Sequence, residues 1–262
     1  MRGYKIEAVG DDVELYIYDR IGLDPWTEQG IDPRDVVAAL KQHRQASRVV
    51  VRLNTPGGSV MDATTIYNHL HEHPAQVVTR IDGAAWSAGS FLAMVGDEIE
   101  MARNASMMLH PARGGWFAET AIEHREAADV LDKITAGLAD IYADRTGTDR
   151  RIVDEWLSGP DRWFTASEAA EAGLVTRVID NAGVDKRASA FHHQMAVAMG
   201  APTALLSAIG CEQVSTRPLR RTPVIPEGFA LPGVKPAEEV PSEGAEQIEF
   251  LKARLELERD RC

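Results

Sequence analysis

With 40 acidic and 28 basic side chains among 262 residues, the chain carries a formal charge of -12. It is long enough to bury a full core, and too acidic for a nucleic-acid footprint or an anionic-membrane surface. The only cysteines, Cys211 and Cys262, fall late and without pairing or metal-ligand spacing, which argues against a disulfide framework, a thiol nucleophile and a zinc site. The opening MRGYKIEAVGDDVELYIYD has charges throughout, and no stretch reaches the roughly 18 apolar residues of a membrane span, so a cytosolic protein is expected.

Glu14 to Tyr18 alternates as a strand, and Arg20 to Asp32, with Gly22, Pro25 and Gly30, reads as a loop. Asp32-Pro33 opens a helix whose apolar face is Val36, Val37 and Leu40. Arg48 to Leu53 is a β-branched run suited to a strand buried on both faces, leading into Asn54-Thr-Pro-Gly57-Gly58-Ser59, a turn whose glycines permit backbone close to a ligand. A helix from about Val60 ends before Pro74. The pattern then repeats: a strand over Val77, Val78 and Ile81 turns at Gly83, and a short apolar helix follows Ser87. Such repetition predicts an α/β protein of layered helices and sheet. At a strand-to-helix turn, the Ser87 hydroxyl either caps the helix or, beside free N–H groups and the positive end of the helix dipole, serves an oxyanion site.

Two further strands, Glu98 to Ala102 and Ser106 to Leu109, deliver His110, and Pro111 to Gly115 forms a loop. Ile122, Val130, Leu131, Ile134, Leu138 and Ile141 recur at helical spacing in a long helix from Glu119 to about Arg145. Arg151 to Leu157 is a shorter helix, Thr165-Ala-Ser-Glu168 a capping box, and Leu174 to Ile179 a last strand. His69, His71 and His73 share a helix at two-residue spacing, which turns them to different faces, so no metal and no other cofactor is expected.

Ser87, His110 and an acid are the parts of a hydrolytic triad, and four segments around them resemble, in order, the Clp protease proteolytic subunit and its relatives among phage head-maturation proteases. Asn54-Thr-Pro-Gly-Gly58 is similar to the family's N-S-P-G-G turn, and Gly83-Ala-Ala-Trp-Ser87-Ala-Gly to its G-x-A-A-S-x-G turn. Met108-Leu-His110 with Gly114-Gly115 is similar to M-I-H-x-x-x-G-G. Asp161-Arg-Trp-Phe-Thr-Ala-Ser-Glu168-Ala with Gly173-Leu-Val is similar to D-R-x-x-x-A-x-E-A-x-x-x-G-L-V. The resemblance implies a spiral of ββα units with a handle helix, Ser87 as nucleophile, His110 as general base and then acid, and Asp161 as orienting carboxylate. Asp161 is preferred to Asp149 and Asp154 on the residues that follow it. It further implies an oxyanion hole from the N–H groups of Gly58 and Ala88, and a substrate strand flanked by Gly57, Arg113, Gly114 and Gly115. The chain departs from the family pattern at Trp86, Pro111 and Arg113, each expected to border the cleft, Arg113 standing where the housekeeping subunit has an apolar residue.

The resemblance covers about Glu14 to Ile179, so the chain divides into a Clp-like protease domain over 1–180, an Ala- and Met-rich possible helix over 181–215, a Pro-rich linker over 216–245 and a short charged helix over 246–262, a possible assembly arm. The region after about Asp180 is expected to be mobile and separable from catalysis. Such a tail suggests an ATP-independent endopeptidase of phage capsid maturation, acting on coat or scaffold protein within procapsids of a bacterial host, and the resemblance of Glu119 to Arg145 to the family's handle implies a homo-oligomeric ring. Three alternatives stand beside it: a housekeeping subunit fed by an ATPase, a crotonase-like acyl-CoA enzyme, and a catalytically inactive assembly subunit.

Overall fold

β-branched runs build the sheet in the computed structural model, which describes residues 4–115, 120–180, 196–197 and 199–209. Strands β1 (Tyr4–Val9), β2 (Asp12–Ile17), β5 (Arg48–Thr55), β6 (Gln76–Trp86), β7 (Glu98–Ala102) and β10 (Arg177–Ile179) lie side by side in that order. From β2 onward they pair in parallel, whereas β1 and β2 form an antiparallel hairpin. The short pair β3 (Gly22–Leu23) and β4 (Gly30–Ile31) stands apart, within the expected loop. Helices α1 (Pro33–Gln42), α2 (Val60–His71) and α3 (Ala88–Ala93) are the crossovers between the parallel strands, capped by Asp32 before α1 and Ser59 before α2.

Strand alternation sorts the sheet into two unlike faces. Leu15, Ile17, Val49, Val51, Leu53, Val77, Ile81 and Met101 are buried in one apolar layer with Leu40, Ile66 and Leu70 from the helices. On the other face Tyr16, Arg52, Arg80, Glu100 and Arg177 stand in register across five strands. The two neighbouring arginines are each neutralised: Arg52 grips Asp82 through two bonds of 2.8 Å, and Arg80 and Arg177 share Glu100. Burial alone would raise the Glu100 carboxyl, but Arg177 and Arg80 outweigh it and hold its pKa below the usual value.

On the edge away from β5, strand β6 serves two partners. Its first half pairs with β7, and Ala84 to Trp86 pair with β8 (Ser106–Leu109), which pairs antiparallel with β9 (Arg162–Thr165). Between the halves the β5–β6 register jumps from Leu53↔Ile81 to Thr55↔Ala85. The expected turn at Gly83 is therefore a bulge within one continuous strand, and the Asn54 side chain accepts from the Ala84 N–H at 3.1 Å where the ladder is interrupted.

The long helix α4 (Ala121–Thr146) begins with a reciprocal capping box between Thr120 and Glu123 and ends at Gly147. After it come α5 (Arg150–Trp156) and α6 (Ala166–Glu171), the latter opened by the Thr165–Glu168 capping box, and finally α7 (Thr203–Ala208). Ala196, Met199, Ala201 and Leu206 pack with Ala84, Trp86, Met108 and Trp163, so packing continues past Asp180. Cys211, Cys262, the 216–245 linker and the 246–262 helix lie outside the described residues, as do 181–195, 198 and 210–215 of the Ala- and Met-rich stretch.

Asp82 is 2% exposed and Arg52 14%, which makes theirs a buried ion pair, and the Tyr18 hydroxyl also donates to Asp82. Asp82→Ala leaves the guanidinium only its longer contact with Glu14, at 3.6 Å, and should cost up to about 3–5 kcal/mol in urea unfolding. A loss below about 1 kcal/mol would show that the row contributes little to the fold.

Candidate active site

Two turns meet at the carboxyl ends of β5 and β6. In the first, the Thr55 hydroxyl donates to the Asp19 carbonyl at 2.7 Å and accepts from the Gly57 N–H at 3.0 Å. Gly57 has φ 91°, and a Cβ there would meet the Trp86 carbonyl and come within 2.8 Å of the Ser87 Cβ. Gly58, at φ 146°, passes as closely against the Ile21 backbone. Ile21 donates to the Gly57 carbonyl at 2.8 Å and accepts from the Ser59 N–H at 2.9 Å, a parallel bridge that turns the N–H of Gly58 to the opposite side.

Ser87 forms the second turn. It holds φ 53° and ψ −123°, a left-handed backbone that non-glycine residues rarely adopt. Its N–H donates to the Met108 carbonyl at 2.8 Å, and its carbonyl accepts from Ser90 N–H at 2.9 Å and Ser90 Oγ at 2.7 Å. The Ser87 side chain makes no capping bond, so the capping alternative does not describe it. Ser90 has one hydroxyl hydrogen, given to Ser87, and the Tyr142 hydroxyl 2.7 Å away therefore donates to Ser90. That relay ties the strained turn to α4. Neither Ser90 nor Tyr142 stood out in the sequence; their one signal was the helical spacing of Tyr142 from Leu138.

A cavity of about 110 Å³ opens beside these turns, lined by Gly58, Val60, Ser87, Ala88, Phe91, His110, Pro111, Ala112, Arg113, Leu138 and Tyr142. It thus collects Ser87, His110, Gly58, Ala88 and Arg113. The exposed Gly114 and Gly115 continue the loop beyond it, and Gly57 underlies Ser87. Pro111 and Arg113 border the cavity as expected, but Trp86 does not. One residue before the serine, it points to the other side, fully buried, donating to Ser106 Oγ at 2.9 Å and meeting Trp163 edge-on.

The antiparallel register Leu109↔Arg162, carried one step further, sets His110 opposite Asp161. Their side chains nevertheless have other partners. His110 Nδ1 lies 2.6 Å from the Pro111 carbonyl; a carbonyl only accepts, so Nδ1 carries the hydrogen and Nε2 is left with a free lone pair. The Asp161 carboxylate pairs with Arg113. With the Arg113 side chain 58% exposed and that of Asp161 21%, this ion pair is worth only about 0–1 kcal/mol. The rival acids are engaged elsewhere: Asp149 caps α5 and pairs with Arg151, and Asp154 pairs with Arg150. The three histidines of α2 and its end have separate surroundings, His69 on the Thr65 carbonyl, His71 on the Tyr67 ring and His73 accepting from the Ala75 N–H.

The family described as Clp protease matches residues 34–182. The chain is 35% identical over 136 residues to the ATP-dependent Clp protease proteolytic subunit 3 of Rhodococcus jostii (strain RHA1), covering 51% of this chain and 66% of that protein. It is 33% identical over 138 residues to the ATP-dependent Clp protease proteolytic subunit 1 of Leifsonia xyli subsp. xyli (strain CTCB07), covering 51% and 68%. The matched stretch thus spans about two thirds of each relative.

Burial disfavours the charged imidazolium of His110, and the Arg113 charge adds to this, against opposing contributions from the Pro111 carbonyl and Asp161; the net effect is a lowered pKa. NMR titration should therefore find His110 neutral at pH 7 and protonating only below the ordinary 6.5. A midpoint at or above that value would contradict the buried geometry.

Proposed function

Because the chain belongs to the Clp protease family, we propose that it is a serine endopeptidase with Ser87 as nucleophile, His110 as general base and then acid, and Asp161 as orienting carboxylate. Its mixed α/β sheet with crossover helices is the Clp protease fold. The observation that carries the proposal is the strained Ser87 turn, free of capping duty and opening on the same cavity as His110.

On this reading Ser87 Oγ attacks the carbonyl carbon of a peptide bond while its proton passes to the unprotonated Nε2 of His110. The N–H groups of Gly58 and Ala88 receive the developing oxyanion, a contribution worth about 10²–10³ in rate for one such donor. His110 then gives its proton to the leaving amine, and a water hydrolyses the acyl-enzyme by the same route in reverse. An extended peptide lies between the Gly57–Gly58 turn and the 113–115 loop, paired through its main chain, which imposes little sequence preference of its own.

Assembly into a ring is part of the proposal. Ile122 and Val130 are exposed on the first half of α4, where the helix has no buried residue, and a second copy of the chain would cover them. Residues 183–262 continue beyond the family match with a charged, proline-interrupted sequence, which favours a specialised peptidase of phage head maturation, independent of ATP and acting on coat or scaffold protein within a procapsid. Tethering within a shell raises the encounter rate without an unfoldase. A second reading, a housekeeping subunit fed by an ATPase, is favoured by the relatives, both ATP-dependent proteolytic subunits by name.

Co-expression with a phage major coat protein and its scaffold separates the two. The proposal expects trimming of coat or scaffold by the wild type and none by Ser87→Ala. Cleavage that begins only when a Clp-type ATPase and ATP are supplied would replace the maturation role with the housekeeping one.

A further inference from the structure

We infer that Arg113 reads an acidic side chain in the substrate and, in doing so, releases Asp161 to His110. This rests on the serine-peptidase reading above and adds to it a substrate class and a means of switching the site on.

Among the described residues lining the cavity, Arg113 is the one fixed charge; its neighbours there are apolar side chains, small residues and the neutral groups of Ser87, His110 and Tyr142. A permanent cation in a small, largely apolar cleft next to the nucleophile selects for a carboxylate, and a planar guanidinium binds one in two-point fashion. At rest that valence is filled from within, by Asp161. Arg113 is exposed and Asp161 half-buried, so the pair is weak and solvent can reach the guanidinium, which leaves it open to an equivalent partner.

The exchange acts on the reacting groups. One step beyond the last β8–β9 pair, Asp161 falls opposite His110, yet its carboxylate is turned to Arg113, and His110 Nδ1 is left with the Pro111 carbonyl. A neutral carbonyl fixes the required tautomer but stabilises the imidazolium formed during attack less than a carboxylate does. When a substrate carboxylate docks on Arg113, two anions on one guanidinium repel, and Asp161 has a second donor to turn to, the Nδ1–H of His110. The β8–β9 ladder ends at Leu109↔Arg162, so His110 and Asp161 follow directly from its last pair. Arg113 is thus a specificity-determining residue for acidic peptides and a positioning residue for Asp161.

The test uses the assembled full-length protein and three fluorogenic peptides that differ only in the residue flanking the scissile bond: Glu, Gln or Lys. Wild type should cleave the Glu peptide at least about tenfold faster than the Gln peptide in kcat/KM, the range of a charge-assisted hydrogen bond. Arg113→Gln should bring that ratio to about one and raise kcat on the Gln peptide, since Asp161 is then no longer held away. Arg113→Glu should reverse the order and favour the Lys peptide. Equal wild-type rates on Glu and Gln peptides, or a preference that survives in Arg113→Gln, would overturn the inference and leave the peptidase reading intact. A parallel fall on all three peptides in Arg113→Gln would also overturn it, showing a structural role only. Hydrolysis of no peptide by the wild type would overturn the peptidase reading and this inference with it.

Discussion

No side-chain carbon fits between Gly57 and the backbone of Trp86 to Ala88, and the geometry of the site depends on that close approach. The Pro-Gly-Gly turn is pressed against the strand-to-helix turn from below, while Ser87 N–H is held by Met108 and its carbonyl by Ser90. Held on these sides, Ser87 keeps a left-handed backbone that costs on the order of 1–3 kcal/mol and presents its hydroxyl to the cavity instead of to α3. Gly58 is carried to the same cavity by the same turn, so the proposed nucleophile and oxyanion donors share one support.

That support is anchored in two directions. Below it, the apolar layer of β2, β5 and β6 against α1 and α2 fixes where the strands end. Beyond the serine, Trp86, Trp163 and Met108 form a second small cluster with residues from 196–206, and α4 reaches in through Tyr142 and Ser90. If α4 also joins subunits, as proposed, assembly and the serine turn are mechanically adjacent through that hydroxyl relay. The charged row on the far face of the sheet takes no part in the cavity. It lets Arg52, Arg80, Asp82 and Glu100 be buried or half-buried without an uncompensated charge, because each meets its opposite.

Much of this was legible in the sequence because local rules and the fold agree. Asp32-Pro33, Ser59-Val60 and Thr165 to Glu168 open helices where their capping chemistry says they should, and β7 and β8 span Glu98 to Ala102 and Ser106 to Leu109 as read. Strand β1 was hidden by its charges, since an edge hairpin needs only one covered face. Gly83 suggested a turn because glycine marks both turns and bulges, and only the neighbouring register tells them apart. Trp86 was misplaced toward the cleft because adjacency in sequence to Ser87 means opposition across a strand. What no sequence pattern could reveal was partner choice: that the carboxylate of Asp161 goes to Arg113, and the imidazole of His110 to its own neighbour's carbonyl, is decided by side-chain directions around a loop.

As proposed, the strained turn makes Ser87 the one activated hydroxyl, with His110 as its base. Reacting the assembled full-length chain with a fluorophosphonate across a range of pH, and mapping the adduct by peptide mass spectrometry, tests it most directly. A single adduct should form on Ser87, at a rate that holds through neutral pH and falls only below 6.5, as His110 takes up its proton. An adduct on Ser59 or Ser90, or none at all, would contradict it.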